Sequence, residues 1–282
     1  YGVYVQIDGR SQSRPVDYRL RYDRYSDGLG PGGSSALAGS EALLLEGGWR
    51  SERDVELRGR LQRSRTELGS ANPITTDSAA VSLSGPLIPG DRQKVRGRLD
   101  LSRQQRESAD DSVSVLAQTA QGSLIITHGA RHQTRLNGAI ATVDDRGQSG
   151  VERTTRQLAV AHTARIDLAG IDLTITPGVS ATEIETEDAE MTVGPTLAIE
   201  ATRDRERLIL ELGQSRIDAA DPEADVELSR LGLRYEIQRG RHAFGVDIDR
   251  SLREPEAGEE TDSWHAGMYW RYDFGKDANG VS

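Results

Sequence analysis

Apolar and charged residues alternate one by one along most of this chain. Val16, Tyr18, Leu20 and Tyr22 interleave with Asp17, Arg19, Arg21 and Asp23. Val55, Leu57, Gly59 and Leu61 interleave with Glu56, Arg58, Arg60 and Gln62, and Val95, Gly97, Leu99 and Leu101 with Lys94, Arg96, Arg98 and Asp100. A period of two becomes two faces only on an extended strand. The second half continues with Leu158–Leu168, Ile171–Val179, Met191–Ile199 and Leu208–Leu212, each apolar at every other position. In VELSRLGLRYEIQ the apolar phase moves from Val226 and Leu228 to Leu231, Leu233, Tyr235 and Ile237. One extra residue shifts phase in this way, so a β-bulge is expected at Ser229-Arg230. Helical spacing is sustained nowhere, and the chain is expected to be all-β.

Tight connections are expected at Arg50–Arg53, Pro89–Asp91, His132–Thr134, Ala169-Gly170, Asp204-Arg205 and Arg239-Gly240. Longer polar ones are expected at Ser26–Ser40, Thr66–Ser78, Asp145–Glu152, Ala219–Ala224 and Arg253–Thr261. Short turns at one end and long loops at the other describe an up-and-down antiparallel meander with unequal rims. The strand count is about fifteen if Ser112–His132 is one strand, and sixteen if Gln121-Gly122 is a turn.

Composition narrows what such a meander can be. Of 282 residues, 35% are hydrophobic and 28% charged, and no apolar run is long enough for a transmembrane helix. The net charge of −10 argues against nucleic acid, whose binding needs clustered cations. Without cysteine there is no disulfide framework or thiolate metal site. The charged parity must be wet, because a dry core could not accept so many ions at several kcal/mol each. It is either the exterior of a soluble all-β binding protein or the inner wall of a barrel. Five or six apolar positions per strand span about 25 Å, the height of the apolar band of an outer-membrane barrel. Sandwich strands run to about half that length.

The stretch GMYWRYDF at Gly267–Phe274 alternates aromatic residues and finishes on Phe. It resembles the C-terminal strand of Gram-negative outer-membrane β-barrel proteins, which their assembly machinery reads. Members usually stop at that Phe, whereas GKDANGVS follows here. The resemblance implies an up-and-down transmembrane β-barrel of about 14–16 strands in the bacterial outer membrane, spanning residues 1–274 with a short tail at 275–282. The apolar row would face lipid and the Arg271/Asp273 row a watery lumen, with the last strand pairing to the first. Single-chain bacterial barrels have even strand numbers. A descending first strand then implies an ascending one upstream of Tyr1, as in the barrel part of a longer product.

No Phe, Trp or Tyr occurs between Trp49 and Tyr235. Aliphatic residues suffice against lipid, but an aromatic-poor sector is also what packing against a protein partner would allow. No catalytic or cofactor motif is found, and a non-enzymatic role is expected. GLGPGG at 28–33 lacks a P-loop lysine, and Ser263 and His265 form no recognisable hydrolase site. His128 and His132 are spaced for a helix rather than a strand, so no metal site is expected. The acidic stretches at Glu183–Glu190, Asp218–Asp225 and Glu254–Asp262 read as solvated loops.

The residues expected to line the lumen are Arg19, Arg21, Arg58, Arg60, Lys94, Arg96, Arg98, Glu211, Arg234, Glu236, Asp247, Asp249, Arg271 and Asp273. The first seven could form a cationic ladder favouring anions in a pore or export channel. Alternatively, Asp17, Asp23, Glu56, Asp100 and the acids of the second half pin them into ion pairs, stiffening a porin-like passage or closing a structural barrel that scaffolds a larger complex.

Overall fold

The computed structural model describes residues 2–11, 15–26, 39–66, 72–88, 94–147, 150–186, 189–219 and 225–272. Asp273, Phe274, the GLGPGG stretch, the Pro89–Asp91 turn and the tail 275–282 lie outside these. Alternation does what it must. Fifteen strands form, β1 Gly2–Arg10, β2 Val16–Tyr25, β3 Ser40–Arg50, β4 Glu56–Thr66, β5 Ile74–Pro86, β6 Val95–Ser108, β7 Ser114–Thr127 and β8 His132–Asp145. They continue with β9 Glu152–Leu168, β10 Ile171–Glu185, β11 Ala189–Arg203, β12 Glu206–Asp218, β13 Val226–Arg239, β14 His242–Pro255 and β15 Thr261–Tyr272. Their order in the sheet is their order in the chain. The fold is all-β, antiparallel and up-and-down.

Strand β7 runs through Gln121-Gly122 without a turn, which makes the count fifteen among the described residues. The chain groups into two compact units, Tyr1–Thr127 with Arg135–Leu158 and Glu183–Glu187, and His128–Thr134 with Ala159–Thr182 and Asp188–Ser282.

Connections on one rim are two residues long at 169–170, 204–205 and 240–241. At the first of these, Ala169 and Gly170 both take positive φ, 53° and 80°, as a two-residue hairpin matched to strand twist requires. The other rim carries the longer connections, 26–39, 67–73, 146–151 and 219–225 among them. The inequality is clearest from β9 onward. At 109–113, on the long rim, Asp110 receives the Ser108 hydroxyl at 2.7 Å and the Ser112 N–H at 3.0 Å. These hydroxyl and amide donors hold its carboxyl well below the usual range.

Three expectations are corrected. The reversal expected at His132–Thr134 lies at 128–131, closed by His128 N–H donating to His132 O at 2.9 Å, so His132 already opens β8. The loop expected through Ser78 ends earlier, because Ile74–Ser78 pairs in full with β4 and β6. There is no bulge at Ser229-Arg230, for β13 pairs one-to-one with β12 and β14 throughout. Val226 and Leu228 instead lie on the polar face at the strand end. There Val226 is buried, opposite Ile217 on β12 and Pro255 on β14.

Residues directly opposite in these registers share a face, so each unit has one apolar and one polar side. The apolar side is uncovered. Leu61 is 55% exposed, Leu158 58%, Met268 87% and Trp270 60%. Among the described residues only two hydrophobic side chains are buried, Val226 and Ala243, and both lie on the polar face.

Candidate functional site

In the first unit the registers carry one charged row across four strands, with Asp8 opposite Arg19, Arg19 opposite Glu46 and Glu46 opposite Arg60. Signs alternate along it. Arg19 meets Asp8 at 2.8 Å and Glu46 at 3.5 Å, and Arg60 approaches Glu46 at 3.8 Å and donates to Gln62 at 2.6 Å. Beside that row, Arg58 pairs with Glu56 at 2.5 Å and Arg98 with Asp100 at 2.6 Å, each within its own strand. Arg21 pairs with Asp23 at 2.6 Å and lies over the Tyr4 ring. These same-strand pairs follow from period two, which sets i and i+2 side by side on one face.

The structure therefore places the six expected arginines of this half on one polar face, but not as an uninterrupted cationic ladder. Arg96 shares the face by its pairing with Pro86 and has no ion pair among the described residues. Lys94 precedes β6, and its carbonyl accepts the Thr127 N–H at 2.7 Å. A concavity of about 820 Å³ opens on this face. Four carboxylates (Asp8, Asp17, Glu46, Asp100) and four guanidiniums (Arg10, Arg19, Arg58, Arg60) line it, so its walls are neutral overall.

In the second unit Glu211, Arg234, Glu236, Asp247, Asp249 and Arg271 also share one polar face. Arg234 lies opposite Asp247, and Gly232 lies between Glu211 and Asp249. Glu236 is held from two sides. The Tyr269 hydroxyl donates to it at 2.5 Å and Arg271 stands at 3.6 Å. The Tyr269 ring lies over Gly245, where a Cβ would displace it. Arg207 pairs with Glu200 at 2.7 Å, Arg230 with Asp249 at 3.6 Å, and His265 stands 3.8 Å from Asp247. A small recess between Glu211, Arg234, Asp247 and Asp249 holds three carboxylates and one guanidinium. This wall is the more acidic of the two.

Sequence reasoning missed several contributors, Asp8 among them. Tyr269 sits on the polar parity of an aromatic strand, and that parity was its signal. Glu46, directly opposite the expected Arg19, and the pair Arg207 and Glu200 were also missed, since only the register reveals which acid answers which arginine.

The histidines gather unexpectedly. His128 and His162 both hydrogen-bond Thr134 Oγ1, at 2.8 and 3.0 Å, and the His162 ring lies 5.7 Å from that of His132. They meet at the short-connection rim of the apolar face, since His162 shares the parity of Leu158 and Leu168. Among the described residues no group of three His, Asp or Glu comes together in a metal-holding arrangement. Farther along the same rim, His242, Phe244, Trp270 and Tyr272 form a ring cluster, with Trp270 Nε1 donating to His242 Nδ1 at 3.1 Å.

No family model and no curated protein matches the chain. Among solved structures it is similar to a bacterial polysaccharide outer membrane secretin, at 11% identity over 97% of this chain and 90% of that one, with a TM-score of 0.47. It is similar to the siderophore receptor PirA from Pseudomonas aeruginosa, at 13% identity over 97% and 69%, with a TM-score of 0.46. It is also similar to CdiB from Acinetobacter baumannii, at 11% over 96% and 59%, with a TM-score of 0.42. With these TM-scores below 0.5, the fold rests on the strand order and registers of the chain itself.

Proposed function

We propose that the chain is a single outer-membrane β-barrel domain whose apolar face meets lipid and whose polar face lines a water-filled passage for solutes. The observation that carries this reading is the uncovered apolar face. A soluble protein rarely exposes apolar patches beyond a few hundred Å², yet here, among the described residues, every strand except β7 contributes an exposed large hydrophobic side chain. Lipid is the solvent that makes such a face stable, and closure into a barrel is what satisfies the sheet edges within it. Strands β5–β14 run 13 to 17 residues, beyond the 9–11 needed to cross a bilayer at a tilt. Barrels of about this strand number leave an aqueous interior.

The lumen wall would be formed by Arg19, Arg21, Arg58, Arg60, Arg96, Arg98, Glu211, Arg234, Glu236, Asp247, Asp249 and Arg271. Pairing of most of these cations with neighbouring acids supports weak ionic selectivity rather than anion capture. The concavity of the first unit is charge-balanced and the recess of the second is acidic, which supports a slight cation preference at those two places. Planar-bilayer recordings with a salt gradient test this, and the expected outcome is stable current with a reversal potential near zero or displaced toward cations. A clear anion preference would restore the cationic ladder. Absence of current from correctly inserted protein would favour the second reading, a scaffold stiffened by its ion pairs, which the row Asp8–Arg19–Glu46–Arg60 also supports.

A further inference from the structure

Two shallow grooves of about 410 and 440 Å³ lie on the apolar face, one in each unit; Arg103 stands at the end of the first toward the long-connection rim, and Arg250 in the second stands opposite Leu231, one row farther from that rim than Leu252. In the first, on β5–β8, two rows of side chains cross the strands. The row nearer that rim contains Ala79, Arg103, Gln118 and Thr142, with Ala79 opposite Arg103 and Arg103 opposite Gln118. The next row contains Val81, Leu101, Ala120 and Ile140, with Val81 opposite Leu101 and Leu101 opposite Ala120. Small Ala79 and Ala120 form the floor between larger neighbours. One end of the slot is cationic and amide-bearing, the other aliphatic.

The second groove is a natural control. Its Arg250 is held in a fork by Asp262, at 3.1 and 3.0 Å, and stacks on the Trp264 ring 5.0 Å away. Arg103 differs in this respect. Among the described residues it has no carboxylate in ion-pair reach, and its guanidinium donates to Gln105 at 3.2 Å. Asp77, near it on the same face, is engaged by Arg63 at 3.1 Å. A guanidinium without a counter-ion, standing at the head of an aliphatic slot, complements an amphiphile with a phosphate head and an acyl tail.

We infer that the groove between β5 and β8 seats one acyl chain of an outer-leaflet glycolipid, with a phosphate of its headgroup held by Arg103. The inference rests on the outer-membrane reading, in which the longer connections face outward and place Arg103 on the outer-leaflet side of the apolar band. The purified full chain in non-ionic detergent, titrated with lipid A and with dephosphorylated lipid A and followed by native mass spectrometry, tests it. Wild type should bind lipid A in preference to the dephosphorylated form. Arg103→Gln should weaken lipid A binding at least about tenfold, Arg103→Lys less, and Arg250→Gln should leave it unchanged. Equal binding by Arg103→Gln with unaltered circular dichroism, or an equal loss in Arg250→Gln, overturns the inference while leaving the barrel intact. If wild type stays monomeric in plain buffer without detergent, the outer-membrane reading fails first.

Discussion

On β12–β15 the apolar face has two borders of different chemistry. At the short-connection end it finishes in rings, with Phe244 opposite Trp270 and His242 opposite Tyr272. At the long-connection end it finishes in charges, with Arg250 forked by Asp262 and Arg216 paired to Asp218 at 2.6 Å. The first unit has the same charged border, where Arg63 meets Asp77 and the Tyr22 hydroxyl donates to Glu41 at 2.9 Å. Amphipathic rings suit a boundary between hydrocarbon and water, whereas paired ions suit a layer that itself carries charges of both signs. The difference teaches that the band is polarised from end to end, which a face covered by another protein layer would not require.

The largest effect should come from the middle of the band. Leu233→Arg is expected to cost about 2–4 kcal/mol in denaturant unfolding from lipid vesicles, while Ser229→Arg, toward the charged border on the same face, should cost about 0–1 kcal/mol. Equal costs would remove the depth difference. Next come the rings. Trp270→Ala loses its packing against His242 and Tyr272 and should cost about 1 kcal/mol. Trp264→Ala loses its cation–π contact with Arg250 and its hydrogen bond to Asp262 and should cost about 0.5–1 kcal/mol at this exposed site, and a larger loss there than at Trp270 would reverse the assignment of the two borders. The smallest effect sharpens the comparison. A double-mutant cycle on Arg250 and Asp262 should give a coupling of about 0.2–1 kcal/mol that fades toward 1 M salt. Coupling that resists salt would mean that this border is dry.

The rings also revise the picture of the aromatic-poor stretch. His128, His132 and His162 occupy the short-connection border where Phe, Trp and Tyr are missing. Residue counting overlooked them because their positions in sequence give no hint that they converge. They come from a turn, the start of β8 and the middle of β9, and only hairpin geometry sets them side by side.

Strand existence, the polar and apolar parities and the faces of Arg19, Arg58, Arg98, Glu236 and Asp249 could be read from period-two alternation alone, because a strand presents every second residue to one side whatever its neighbours are. The count of fifteen needed the unbroken pairing of β7, since Gln121-Gly122 is compatible with both strand and turn. The phase change at Ser229 was misread for a related reason: apolar Val226 and Leu228 sit on the polar face, where the strand end packs against Pro255. Which acid answers which arginine was decided by register between strands distant in sequence. Composition leaves the choice between a cationic ladder and an ion-paired wall open, and only the register shows that Arg19 stands between Asp8 and Glu46, within ion-pair reach of both.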